Sequence, residues 1–89
     1  MSPARSIAYS HHFVRQFKKL PANLQEEVLA KIELFKNEAN HATLKVHPLQ
    51  GHLAGCMSFS VNFRFRIVYG HLSDHEVILH SVGSHDIYR

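Results

Sequence analysis

The sequence predicts an α+β fold in which an N-terminal strand and a helical hairpin pack on one face of a twisted antiparallel β-sheet. Three observations carry this expectation. Apolar residues recur at helical spacing from Phe13 to Phe35, a proline at position 21 divides that stretch into two helices, and after Asn40 the period changes to alternating, most plainly from Cys56 to Asn62.

The first segment, Ser6-Ile7-Ala8-Tyr9, reads as a short strand. Ser10 follows as a helix N-cap, because its hydroxyl can accept an amide left free in the first turn. Phe13, Val14, Phe17 and Leu20 form the apolar stripe of the first helix, and Arg15, Lys18 and Lys19 its polar face. A second helix starts at Pro21, with Asn23 and Glu26 as an alternative capping box. Leu24, Val28, Ile32 and Phe35 make its stripe, and it fades between Asn37 and Asn40.

A lead-in segment from Leu44 to His47 precedes Pro48-Leu49-Gln50-Gly51. From Cys56 to Asn62, Met57, Phe59 and Val61 face one way and Ser58 and Ser60 the other. Asn62-Phe63-Arg64 reads as a turn, Phe65 to Tyr69 as a strand, Gly70 to His75 as a turn, and Val77 to Val82 as a last strand broken by Gly83. The sheet face away from the helices is expected to carry Ser58, Ser60, Arg64 and Arg66 toward water or a ligand.

A chain of 89 residues has room for one core, so residues 1–89 are expected to form a single domain. A 45% hydrophobic content with modest charge excludes a disordered chain. Cys56 is alone, so there is no disulfide framework, and no apolar run approaches the roughly 20 residues that span a bilayer. With no apolar signal core near Met1, the expected setting is cytoplasmic, without a membrane partner. Ten Lys and Arg against seven Asp and Glu, with nine histidines in reserve, favour polyanion partners.

Several residue groups can carry chemistry. Arg64 and Arg66 are one residue apart, so on a strand they share a side, and guanidinium forks suit a phosphate and its developing charge. The plain alternative is a solvated face with ion pairs. His47 precedes proline and is therefore extended, exposed on a loop and suited to moving a proton. The tail from Gly83 to Arg89 gathers His85, Asp86, Tyr88 and Arg89, which can act as acid, base, stacking platform and phosphate clamp. Metal binding is disfavoured: His11 and His12 are adjacent, His71 and His75 fall in a turn, and there is no cysteine pair and no His-Glu-x-x-His pattern, so no cofactor is expected. Metal-free cleavage of RNA needs a base at the 2′-hydroxyl, an acid at the leaving oxygen and cations at the phosphate, and histidines with arginines supply all three.

Over nearly its whole length, from about Ile7, the chain resembles toxins of the RelE/ParE superfamily. The resemblance rests on the order of elements, on His47-Pro48-Leu49-Gln50-Gly51, on Arg66-Ile67-Val68-Tyr69 and on Gly83-Ser84-His85-Asp86-Ile87-Tyr88. It looks nearest the YafQ-like branch of ribosome-dependent messenger-RNA endonucleases. The resemblance implies a type II toxin that cuts mRNA in the ribosomal A site, a cognate antitoxin that blocks it, and operator DNA contacted only through their complex. It implies that His47 and His85 match catalytic histidines, Arg66 the strand arginine used on the phosphate, and Tyr88 the terminal aromatic. Arg64 and Arg89, with Arg15, Lys18 and Lys19, are then candidates for RNA contact. Where the YafQ-like branch places acidic residues and a histidine, this sequence has Ser58, Ser60 and Arg64. The alternative is a ParE-like, non-enzymatic inhibitor of DNA gyrase, also neutralised by an antitoxin, a branch that lacks the catalytic histidines. On the nuclease reading Arg66 is expected to be exposed, so that its loss costs activity more than stability.

Overall fold

The computed structural model describes residues 6–84. Strand β1 (Ser6–Tyr9) leads into helix α1 (His11–Lys18) and helix α2 (Ala22–Phe35). A 3-10 turn and a loop follow, then β2 (His47–Pro48), β3 (Met57–Ser60), β4 (Phe65–His71) and β5 (Glu76–Ser84). The sheet order is β1-β5-β4-β3-β2. Strands β2 to β5 are antiparallel neighbours, as expected, while β1 joins the far edge parallel to β5. The sheet is therefore mixed. Alternation within a segment carries no information about which strand it will pair with, so the parallel edge was not readable from the sequence.

Ser10 caps α1: its Oγ accepts from the Phe13 amide at 3.0 Å and its hydroxyl donates to the His80 carbonyl at 2.9 Å. One side chain thus starts the helix and fastens that start to β5. α1 ends at Lys18, before Leu20, and Pro21 takes the N-cap position of α2, its carbonyl accepting from Leu24 and Gln25. Arg15 and Lys18 lie in the last turn of α1, where the helix dipole favours cations. Gln25 Nε2 donates to the Phe17 carbonyl at 3.0 Å and ties the hairpin together.

The helices cover one sheet face. Phe13, Val28, Ile32 and Phe35 meet Phe59, Val61, Ile67, Tyr69, Val77, Leu79 and Val82 there. At its centre Phe35 stacks on Phe59 at 4.4 Å between ring centroids, meets Tyr69 edge-on at 4.7 Å and carries His41 on its outer side at 4.8 Å. These rings bury large apolar areas in offset and edge contacts that aromatic quadrupoles favour.

Two sequence expectations are corrected. Gly83 does not break the last strand; it continues β5 and pairs with Arg66, because the β4 ladder supplies its backbone partners. Arg64 is not on a strand: it lies in the turn before β4, so alternation does not align it with Arg66. A register shift between Val68 and Tyr69 leaves His80 as an extra residue in β5, the pattern of a β-bulge.

Candidate functional site

Residues paired across antiparallel strands share a face, so the ladder defines the surface opposite the helices. His47 pairs with Ser58, Ser58 with Val68 and Val68 with Ser81; in the next row Ser60 pairs with Arg66 and Arg66 with Gly83. His47, Ser58, Ser60 and Arg66 therefore stand on one sheet face, away from the aromatic core. His47 and Arg66 are two strands and one row apart, roughly 12 Å between Cα atoms from standard strand spacings.

Within this row Ser58 is fully buried rather than open to a ligand, since it sits mid-sheet between β2 and β4. Ser60 is half-buried. Pro48 is tolerated beside His47 because β2 is an edge strand, where a missing amide leaves no ladder bond unmade. Exposed His47 thus sits on a two-residue edge strand rather than a free loop.

The local fold sets which nitrogen of His47 carries the hydrogen. The chain from His41 to Val46 makes a Schellman turn: the Val46 amide donates to the His41 carbonyl and the Lys45 amide to the Ala42 carbonyl, both at 3.1 Å. Lys45 occupies the left-handed position, φ 58°, that glycine usually takes in this motif. That turn aims the Lys45 carbonyl at His47, whose Nδ1 lies 2.8 Å away. A carbonyl can only accept, so Nδ1 carries the hydrogen. In the neutral ring Nε2 then holds the lone pair, the arrangement a general base needs.

Arg66 is half-buried rather than exposed, because its side chain folds back over the strand end. Its Nη1 donates to the Asn62 carbonyl at 2.6 Å and the Phe65 carbonyl at 3.2 Å. Asn62 itself organises this turn, with Oδ1 accepting from the Arg64 and Phe65 amides at 2.8 and 2.9 Å and Nδ2 donating to Glu27 at 2.6 Å. Among the described residues the hydrogen bonds that Arg66 gives run through Nη1, so Nε and Nη2 can donate toward an anion. The guanidinium leans toward the turn, away from the row of His47.

Arg64 is exposed in that same turn. Arg15, Lys18 and Lys19 are exposed on or just after α1, which packs on the opposite face of the sheet, so the structure separates them from His47 and Arg66. His85, Tyr88 and Arg89 lie outside the described residues. The last described residue, Ser84, pairs with Phe65, one position from Arg66. Among the described residues no group of three or more His, Cys, Asp or Glu side chains is arranged to hold a metal ion, and no helix is long and apolar enough to cross a membrane.

Sequence reasoning missed one feature. A cavity of about 370 Å³ opens between α2, the loop before β2 and the β3–β4 turn, lined by Lys31, Lys45, Ser60, Asn62, Phe63 and Arg66 among others. Lys31 and Lys45 lie far apart in the sequence and belong to no motif. Only the tertiary fold brings them to Arg66.

The fold is that of RelE/ParE-type toxins. A chain of the E. coli DinJ–YafQ toxin–antitoxin complex superposes with a TM-score of 0.73 at 24% identity, over 94% of this chain and 96% of that one. A YoeB/ParE toxin from Agrobacterium tumefaciens gives 0.73 at 19% identity, over 90% and 98%. A chain of the archaeal RelE–RelB complex from Pyrococcus horikoshii gives 0.70 at 14%, over 91% and 94%. No protein-family model matches the chain, and no curated protein sequence matches it significantly.

Proposed function

We propose that this protein is the toxin of a type II toxin–antitoxin system and that it cleaves messenger RNA on the ribosome by metal-independent acid–base chemistry. The observation that carries the reading is the placement of His47, with Nδ1 committed to the Lys45 carbonyl, on the same sheet face as Arg66. The fold supports the toxin class: the E. coli likeness is named as a toxin–antitoxin complex, and the P. horikoshii likeness as a RelE–RelB complex.

His47 Nε2 takes the proton of a 2′-hydroxyl, whose oxygen attacks the adjacent phosphorus. Arg66 donates through Nε and Nη2 to the non-bridging oxygens as charge builds on them. The 5′-oxygen leaves with a proton, and His85, one residue beyond the end of β5, is the candidate donor. Tyr88 and Arg89 complete the tail's proposed part as stacking platform and phosphate clamp, and Arg64 at the turn adds a further RNA contact. Arg15, Lys18 and Lys19, on the far side of the helix layer, suit ribosomal RNA rather than the scissile bond. A cognate antitoxin is the expected protein partner, and operator DNA is met only through that complex.

A gyrase inhibitor on the same fold needs neither histidine. Pulse labelling after induction separates the two: incorporation of amino acids falls first for a nuclease, and incorporation of thymidine falls first for a gyrase inhibitor. Early loss of thymidine incorporation with translation intact would overturn the proposal.

A further inference from the structure

The β3–β4 turn lifts Phe63 almost fully into solvent, at 95% exposure. An isolated exposed phenylalanine leaves its apolar surface in water with no packing to offset it, and this one is not on a floppy tip. The Asn62 side chain pins the backbone on both sides of it through the Arg64 and Phe65 amides. Phe63 stands at the mouth of the cavity that also receives Lys31, Lys45 and Arg66, and no carboxylate lines that cavity. Glu27, one helical turn before Lys31, is held by Asn62 Nδ2 at 2.6 Å. Neither Lys31 nor Lys45 has a carboxylate within 4.0 Å among the described residues. Three basic residues thus line a recess that an exposed aromatic ring also lines.

We propose that this recess is a nucleotide subsite for single-stranded RNA, with a backbone phosphate held by Lys31 and Lys45 and the adjoining base stacked on Phe63, next to the nucleotide engaged by Arg66. The proposal rests on the RNA reading above and assigns to it residues that neither the motif nor the strand arginine includes. A phosphate fits because Lys31, Lys45 and Arg66 are in the lining and no acid is. A base fits because Phe63 stands clear of the surface and offers a flat face for stacking, and the apolar Leu34, Leu44 and Val61 of the lining suit the ring of a base beside it. Lys45 serves twice: its carbonyl sets the tautomer of His47, and the residue lines the subsite.

The test is a fluorescence-anisotropy titration of the purified full-length protein with a labelled 2′-O-methyl hexanucleotide, which cannot be cut. Phe63→Ala should weaken binding about five-fold or more, and Phe63→Tyr should restore it, since stacking is indifferent to the hydroxyl. The Lys31→Gln/Lys45→Gln pair should lower the slope of log affinity against log salt by about 0.7 for each phosphate that the lysines neutralise in the wild type. Circular dichroism checks that the variants are folded. Binding of Phe63→Ala within two-fold of wild type, an unchanged salt slope in the lysine pair, or no binding by wild type would each overturn the subsite. So would a poly-glutamate peptide whose binding depends on Phe63 while RNA binding does not, which would assign the recess to a protein partner. Messenger cleavage by the wild type in a cell-free translation reaction is scored separately. Phe63-dependent binding without cleavage leaves the subsite and removes the nuclease reading; cleavage with binding indifferent to Phe63 and the lysines does the reverse.

Discussion

Replacing Arg66 with alanine separates the structural and chemical uses of one side chain. The arginine gives two hydrogen bonds, at 2.6 and 3.2 Å, to carbonyls of the β3–β4 turn. A charge-assisted hydrogen bond contributes about 1.5–3 kcal/mol at most, but both bonds share Nη1 and the carbonyls are only partly shielded from water. The stability loss should therefore be about 1–2 kcal/mol, which lowers the melting temperature by roughly 5–15 °C in a domain of this size. From a typical stability of at least about 5 kcal/mol, the variant remains about 99% folded at 25 °C. Unfolding then has almost no effect on activity. Loss of a donor aimed at developing phosphate charge costs about 100- to 1000-fold in rate. The assay is single-turnover cleavage of a programmed messenger in a cell-free translation system, at equal concentrations of folded toxin, alongside thermal melts. Arg66→Lys should melt near wild type yet recover only part of the rate, because an ammonium cannot keep the turn carbonyl and present a planar fork together. A variant whose rate per folded molecule matches wild type would refute the reasoning and leave Arg66 as a clamp on the turn.

Other substitutions test the scaffold. Lys45→Gly should leave stability unchanged or raise it by about 1 kcal/mol in denaturant titrations, because glycine adopts the left-handed position without strain, and the carbonyl to His47 is kept. A fall in stability would mean that the lysine side chain supports the turn. Ser10→Ala removes the N-cap and the bond to β5, and should cost about 1–2 kcal/mol by urea titration. Phe35→Ala empties the centre of the aromatic cluster and should cost about 3–5 kcal/mol, seen as a large shift in urea midpoint; a loss below about 1 kcal/mol would place the core elsewhere. Gly51→Ala should destabilise the loop, since φ is +68° there although a Cβ would meet no atom within 4 Å.

Local physics explains what was legible in the sequence. The Ser10 cap, the helical stripes and the alternation from Met57 to Val61 each depend on neighbours within a few residues, and each appears in the structure. The face shared by His47 and Arg66 depends on the register of three strands. The histidine and the arginine were visible as residues, but their pairing rows were not. Ser58 shows the limit of alternation: the parity was read correctly, yet the residue is buried, because burial depends on what flanks a strand and not on which way its side chain points. Arg66 shows the same for side chains, since alternation gives a direction at Cβ and says nothing of a long chain that bends back to a carbonyl. Lys31 and Lys45 were invisible as a pair because a helix and a loop meet there only through the tertiary fold.

The central claim is that His47, oriented by the Lys45 carbonyl, moves a proton during cleavage of a translated messenger. Mapping new 5′ ends on a reporter messenger after inducing wild type and His47→Asn tests it most directly. Asparagine keeps an N–H donor for the Lys45 carbonyl and lacks the basic ring nitrogen Nε2, so the edge strand should hold. The account predicts cuts within translated codons for wild type and their near-complete loss for the variant, with both proteins folded and both bound to ribosomes. Cuts of equal strength from the two would contradict it.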